Sequence, residues 1–207
     1  MSRRAEAAAD TRDRIVDAVL ERFGSLPYDR IRLEDVATDA GVSLQTVLRR
    51  FGSKAGLVTA MATRELSRIA DTREHRRGQP PARVVADLIT HYERYGDLIL
   101  KVYAESDQVD GLAEIGRTGR AYHVQWCEEA FAAALDHVGG EPRRRRRRAQ
   151  LVALCDATTW RILRRDAGLE PGEVETALLE LVLPLCAGDG ETTGATCTPE
   201  AFRPSPR

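Results

Sequence analysis

This sequence lacks strands. No stretch alternates apolar and polar residues convincingly, so nothing in it reads as a half-buried β-strand. It also lacks an apolar run long and pure enough to cross a membrane. Its N-terminus, MSRRAEAAADTRDR, has no apolar stretch of the kind a secretory signal needs, and a cytoplasmic protein is expected. Cysteine is sparse: Cys127, Cys155, Cys186 and Cys197 form no CxxC pair and no dense framework. In a reducing compartment they are expected as small buried hydrophobes, with Cys197 exposed in a tail. Neither sign of charge is in excess, the formal net being −1, so nucleic-acid binding can come only from a local patch. Lysine is nearly missing. Of 31 basic residues two are lysine, Lys54 and Lys101, an imbalance that with the abundant alanine points to GC-rich coding. Paired carboxylates, phosphate-cradling glycines and a nucleophile with an evident base are absent too, so neither an enzyme nor a cofactor is expected.

What is present is helical periodicity almost from end to end, with 43% apolar residues to build a core. A first helix is expected from about Thr11 to Phe23, carrying the stripe Ile15, Val16, Val19, Leu20 and Phe23. Asp10 or Thr11 can cap it, and GSLPYDR stops it. A short helix follows over Leu33 to Ala40, then a second over Leu44 to Phe51, capped by Ser43 and stopped by Gly52. Ser53 caps a fourth helix that runs to about His75, and RRGQPPAR is the clearest break in the chain. Further helices are expected from Pro81 through Val102, from Leu112 to Val138 with a bend near Gly116 and Gly119, from Pro142 to Asp166, and from Gly172 to Cys186. Beyond Gly188 the periodicity ends and a disordered tail is expected. The expected fold is all-α, about nine helices: a helix-turn-helix unit over residues 1–56, a larger ligand-binding and dimerisation bundle over 57–187, and a tail over 188–207.

The stretch GVSLQTVLRRFGSK, residues 41–54, holds two arginines and a lysine with no acid. Two short helices joined by AGVS have the form of a helix-turn-helix. On a helical wheel Val47 and Phe51 lie about 40° apart and define the inner side. Gln45 and Arg49 then point outward with Thr46 beside them, Leu44 and Leu48 on one flank and Arg50 on the other. An amide suits adenine, a guanidinium suits guanine or phosphate, and a hydroxyl suits phosphate or a thymine methyl. Lys54 sits at a helix start, where a cation has the wrong sign for the helix dipole. A DNA phosphate held between Arg50 and Lys54 would justify it. The alternative is a solvated cationic surface on a three-helix bundle.

Residues 11–60 resemble the N-terminal domain of the tetracycline-repressor (TetR) family, on TRDRIVDAVLERFG, YDRIRLEDVATDAGVS and TVLRRFGSKAGLVTAM. LVALCDATTWRILRRDAGL is similar to the penultimate helix of one branch of that family. The resemblance implies a homodimeric DNA-binding regulator, in this reading a repressor released from a palindromic operator by a small organic ligand. Carried onto this chain, the DNA-binding positions are Arg32, Ser43, Leu44, Gln45, Thr46, Leu48, Arg49, Arg50 and Lys54. The chain departs from the family pattern at four of them. Leu48 stands where most members have Tyr, Arg50 where they have His, Gln45 where a small residue is common, and Arg32 where a Thr caps. At Leu48 the Tyr contact is lost or becomes apolar, Gln45 gains a base to read, and Arg32 weakens the cap while offering a phosphate contact.

The last helix is apolar around too much of its circumference for a surface helix. Val174, Leu178, Leu181, Val182 and Leu185, with Leu151, Leu154, Cys155, Thr158 and Ile162 before them, are expected to build a four-helix bundle across a two-fold axis. Burial inside one subunit is the competing reading. Tyr92, Tyr95, Tyr103, Tyr122, His123 and Trp126 are candidate ligand-binding residues, because aromatic bodies with polar tips suit an organic pocket. They suit ordinary core packing as well. His123 and Cys127, at i and i+4, are the best candidates for an alternative helical enzyme or metal-binding protein, although two ligands fall short of the four of structural zinc. A helical interaction module that never meets DNA is a third possibility. The run PRRRRRR, residues 142–148, is expected as a solvated face.

Overall fold

The computed structural model describes residues 3–72 and 78–187, with side chains from Glu6 onward. The expected end of the fourth helix near His75, the expected disordered tail and Cys197 lie outside the described residues. Among the described residues there are ten α-helices and no strand: α1 (Arg3–Ser25), α2 (Leu33–Asp39), α3 (Leu44–Phe51), α4 (Lys54–Thr72), α5 (Pro81–Ala104), α6 (Leu112–Ala130), α7 (Ala132–Asp136), α8 (Glu141–Leu154), α9 (Ala157–Arg161) and α10 (Pro171–Cys186). A 3-10 turn covers Tyr28–Arg30, and a π-helical turn, Ile162–Asp166, extends α9.

Three helix limits differ from the sequence reading. The first helix begins well before Thr11, because alanine and an early Glu6 favour helix without needing a core. Neither expected cap acts as one: the Thr11 hydroxyl donates to the Ala7 carbonyl at 2.8 Å, and Asp10 pairs with Arg14 at 3.5 Å. The expected 112–138 helix breaks at the buried Phe131, not at Gly116 or Gly119, which stay inside α6. The expected 142–166 helix breaks at Cys155–Asp156, where the Asp156 carboxylate accepts the Thr158 N–H at 2.8 Å and starts α9. That cap sits inside an uninterrupted apolar pattern, so periodicity alone runs through it.

Two cores form. In the first, Ile15, Val19 and Phe23 of α1 meet Val36 of α2, Val47 of α3 and Leu57, Val58 and Met61 of α4. The expected boundary at residue 56 therefore falls where α4 enters the N-terminal core. In the second, Val84, Leu88 and Tyr92 of α5 pack with Trp126 of α6, Leu151 of α8, Trp160 of α9 and Leu178 of α10. Burying each such side chain contributes about 1.5–3 kcal/mol. Gly96 of α5 lets the Trp160 ring lie on its backbone, since a Cβ there would stand 2.7 Å from Trp160 Cε3.

The first core also takes in Val102 of α5 and Leu112 of α6, which joins the units, and polar contacts add to that join. Lys101 Nζ donates to Glu105 Oε1 at 3.0 Å and stands 5.0 Å above the Phe23 ring. The Thr59 hydroxyl of α4 donates to the Asp110 carbonyl at 2.8 Å, just before Gly111 turns into α6 with φ +89°.

The expected dimer stripe is divided. Leu151, Cys155, Val174, Leu178 and Val182 are fully buried within the subunit. They fill its own core and are corrected out of the dimer surface, because α8 and α10 turn that face onto α5 and α6. On the other side Ile162 is 50% and Leu181 47% exposed and Thr158 is open to solvent, while Leu183, also exposed, lies about 200° around α10 from Leu181. Leu154 and Leu185 are half-buried at the edge.

Candidate nucleic-acid interface and cavity

Gly41, at φ +64°, makes the turn between α2 and α3. The Val42 N–H closes it on the Ala37 carbonyl at 2.9 Å, and Arg14 braces it by donating to the Ala40 carbonyl at 3.0 Å. Ser43 starts α3 as expected, its Oγ accepting the Thr46 N–H at 3.2 Å. Val47 is fully buried and fixes the rotation of the helix. Gln45, Arg49 and Arg50 are exposed, Leu48 is 40% exposed, and Leu44 and Thr46 lie between. The outward face of an eight-residue helix thus carries an amide, a guanidinium and a leucine side by side. Gly52, at φ +76°, ends α3 by donating its N–H to the Leu48 carbonyl at 2.8 Å.

Two cations of the expected phosphate clamp are engaged by backbone carbonyls of the protein itself. Arg50 Nη1 donates to the Ala8 carbonyl of α1 at 3.1 Å. Lys54 Nζ donates to the carbonyls of Tyr28, Ile31 and Asp29 at 2.9, 3.1 and 3.4 Å, and stands 4.3 Å above the Tyr28 ring. The ammonium has three N–H bonds and three carbonyls meet them. A cation at the start of α4 is therefore compensated by the backbone of the 3-10 turn. Arg32 is exposed before α2 and, as expected, makes no side-chain cap.

α1 and α2 are locked by Arg22, whose Nε donates to Asp39 at 2.6 Å while Nη1 lies 3.5 Å from Asp35. The Arg22 hydrogen bond holds the Asp39 carboxyl below its ordinary range. The same bond raises the Arg22 guanidinium.

Behind this unit a cavity of about 60 Å³ lies between α4, α5 and α6. Four expected ligand residues line it: Tyr92, Tyr103, Tyr122 and His123. Two do not. Tyr95 turns against His91, centroids 5.2 Å apart, and Trp126 packs edge-on against Phe131 at 6.4 Å. The sequence reading missed two lining carboxylates, Glu65 and Asp156. Glu65 is only 5% exposed and receives Arg64 Nε at 2.9 Å and Arg68 Nη1 at 3.1 Å, both on Oε1. Its signal was legible: it stands in the stripe Met61, Ala62, Ile69 where an apolar residue belongs. Asp156 was hidden because its cap was hidden.

His123 Nε2 lies 3.1 Å from the Val152 carbonyl and 3.7 Å from Cys127 Sγ. Among the described residues no group of three or more His, Cys, Asp or Glu is placed to hold a metal ion. Nor is any helix among them long and apolar enough to cross a membrane. The arginine run opens α8. Arg148 pairs with Glu128 at 2.6 Å and Arg144 with Asp136 at 3.3 Å, and Arg147 donates to the Leu185 carbonyl.

Residues 15–61 match the sequence profile of the bacterial regulatory proteins of the tetR family. Over 60 residues the chain is 40% identical to the HTH-type transcriptional regulator AlkX of Mycobacterium tuberculosis, a match that spans 29% of this chain and 28% of that relative. In overall fold it is similar to a transcriptional regulator from Rhodococcus sp. Rha1, with a TM-score of 0.66 at 20% identity over 84% of this chain and 95% of that one. It is also similar to a regulator from Saccharomonospora viridis solved in complex with choline, with a TM-score of 0.65 at 16% identity over 84% and 96%. A third fold relative, from Streptomyces coelicolor, has a TM-score of 0.61 at 20% identity, covering 86% and 80%.

Proposed function

We propose that this chain, which belongs to the tetR family of bacterial regulatory proteins, is a homodimeric DNA-binding regulator of transcription, a repressor that leaves a palindromic operator when a small organic molecule enters the α4–α6 cavity. The observation that carries the reading is α3. A buried Val47 and a Ser43 cap fix a short helix with Gln45, Leu48 and Arg49 outward. That is the size and chemistry a major groove accepts. In this reading Gln45 and Arg49 read base edges and Leu48 meets a thymine methyl. Leu44, Ser43 and Thr46 lie against the sugar-phosphate backbone, and Arg32 and Arg50 contact phosphates, Arg50 by leaving the Ala8 carbonyl. Lys54 fastens α4 to the 3-10 turn and orients the whole unit.

The half-exposed Ile162 and Leu181 support a second subunit docking on the end of α9 and on α10. Two copies of α3 then meet half-sites about one helical turn apart. Ligand release requires that the molecule bind more tightly to one spacing of the two heads than to the other. α4 is suited to transmit it, since Leu57 and Met61 pack in the DNA-binding core while Glu65 and Ile69 line the cavity.

Footprinting on the DNA flanking the chain's own gene tests the reading. A protected, near-palindromic site with a steep salt slope is expected, and the Gln45→Ala, Arg49→Ala double variant should lose it while remaining folded. Equal protection by that variant would exclude α3 as the reading element.

A further inference from the structure

The cavity's charge points to the kind of molecule it takes, on the reading that the cavity is the regulatory ligand site. Among the described residues, the formal charges on its lining are both negative, Glu65 and Asp156, and no Lys or Arg faces it. Arg64 and Arg68 both approach Glu65 at Oε1, and no described donor reaches Oε2. Those arginines offset the desolvation of the carboxylate from outside the wall. The carboxylate itself belongs to the cavity lining.

The rest of the lining is aromatic and aliphatic. The Tyr92 hydroxyl is bonded to the Cys155 carbonyl at 2.7 Å and the Tyr122 hydroxyl to the Ala70 carbonyl at 3.2 Å. What these side chains offer inward is therefore ring. The Tyr103 ring already attracts a cation, the Arg120 guanidinium, 4.9 Å from its centroid. An anionic ligand would face two carboxylates and, among the described lining residues, no Lys or Arg. A neutral apolar ligand would desolvate the lining carboxylates without offering them a partner. A compact cation satisfies both, because it meets the carboxylate and the ring faces together.

We infer that the α4–α6 cavity binds a small organic cation of the alkylammonium class, held by Glu65 and Asp156 and by the rings of Tyr92, Tyr103 and Tyr122.

Calorimetric titration of the full chain with tetramethylammonium chloride tests this, against tert-butyl alcohol as the uncharged counterpart and sodium acetate as the anion. Saturable binding of tetramethylammonium is expected, about tenfold or more tighter than that of the alcohol, with none for acetate. Glu65→Gln should weaken it by a similar factor. That variant also takes the counter-charge from Arg64 and Arg68, so Gly119→Val provides the second arm. A Cβ at Gly119 meets only ordinary contacts, Leu66 Cδ1 at 3.7 Å and the Tyr103 hydroxyl at 4.0 Å. The added side chain should fill the cavity and abolish binding with melting unchanged. Absence of saturable tetramethylammonium binding, equal affinity for the alcohol, or undiminished binding in Gly119→Val would each overturn the inference. Operator binding by the unliganded chain is measured separately. Its loss with cation binding intact refutes the regulator reading, and the reverse refutes this inference alone.

Discussion

Replacing Lys54 by Met removes one ammonium and keeps a side chain of similar length. Two of its bonds, to Tyr28 and Ile31 at 2.9 and 3.1 Å, are part-buried and well formed, and the third, to Asp29 at 3.4 Å, is exposed and long. A hydrogen bond to a charged group is worth about 1.5–3 kcal/mol, and less where water can take over. Counting the two short bonds at the lower end and adding the Tyr28 ring gives a loss of roughly 2–4 kcal/mol. In a chain of this size that lowers the melting temperature by about 5–15 °C. Thermal unfolding monitored by circular dichroism reads it directly. Operator binding measured across salt concentrations then separates two roles. A fastening lysine weakens DNA binding with the salt slope intact. A phosphate-gripping lysine reduces the slope by roughly 0.9 and leaves melting unchanged. Unchanged melting with a shallower slope would refute the fastening role of Lys54.

Gly96→Ala drives a Cβ into the Trp160 ring, at 2.7 Å from Cε3 and 2.8 Å from Cη2; a loss of about 1–3 kcal/mol in denaturant unfolding is expected, because two close-packed helices must separate. Leu181→Glu combined with Ile162→Glu should turn a dimer into a folded monomer in sedimentation experiments, with operator binding lost and helicity kept. Arg22 holds Asp39 below its ordinary pKa of 3.8, so this pair stabilises the fold above that value and the contribution is lost as pH falls through the folded-state pKa. Asp39→Asn should therefore melt with less dependence on pH below about 4 than the parent chain.

Local signals were enough for the N-terminal unit. Gly41, Ser43 and Gly52 punctuate α2 and α3, and the spacing of Val47 and Phe51 fixes which face of α3 looks outward, because helix rotation follows from where the apolar side chains must go. Elsewhere periodicity reported that residues are apolar but not which neighbour covers them. Leu178 and Leu181 have the same chemistry and sit less than a turn apart, yet one is buried in its own subunit and the other half-exposed. Only the packing of α10 on α5 decides between them. Lys54 is the sharpest case. From the chain alone its charge at a helix start called for an anion outside the protein, whereas the fold brings three carbonyls from a turn more than twenty residues away. Sequence by itself determines the periodicity and charge of the helices, since these depend on neighbours in the chain. Which polar atoms meet across the fold depends on helix packing, and that decided both the partner of Lys54 and the carboxylates of the cavity.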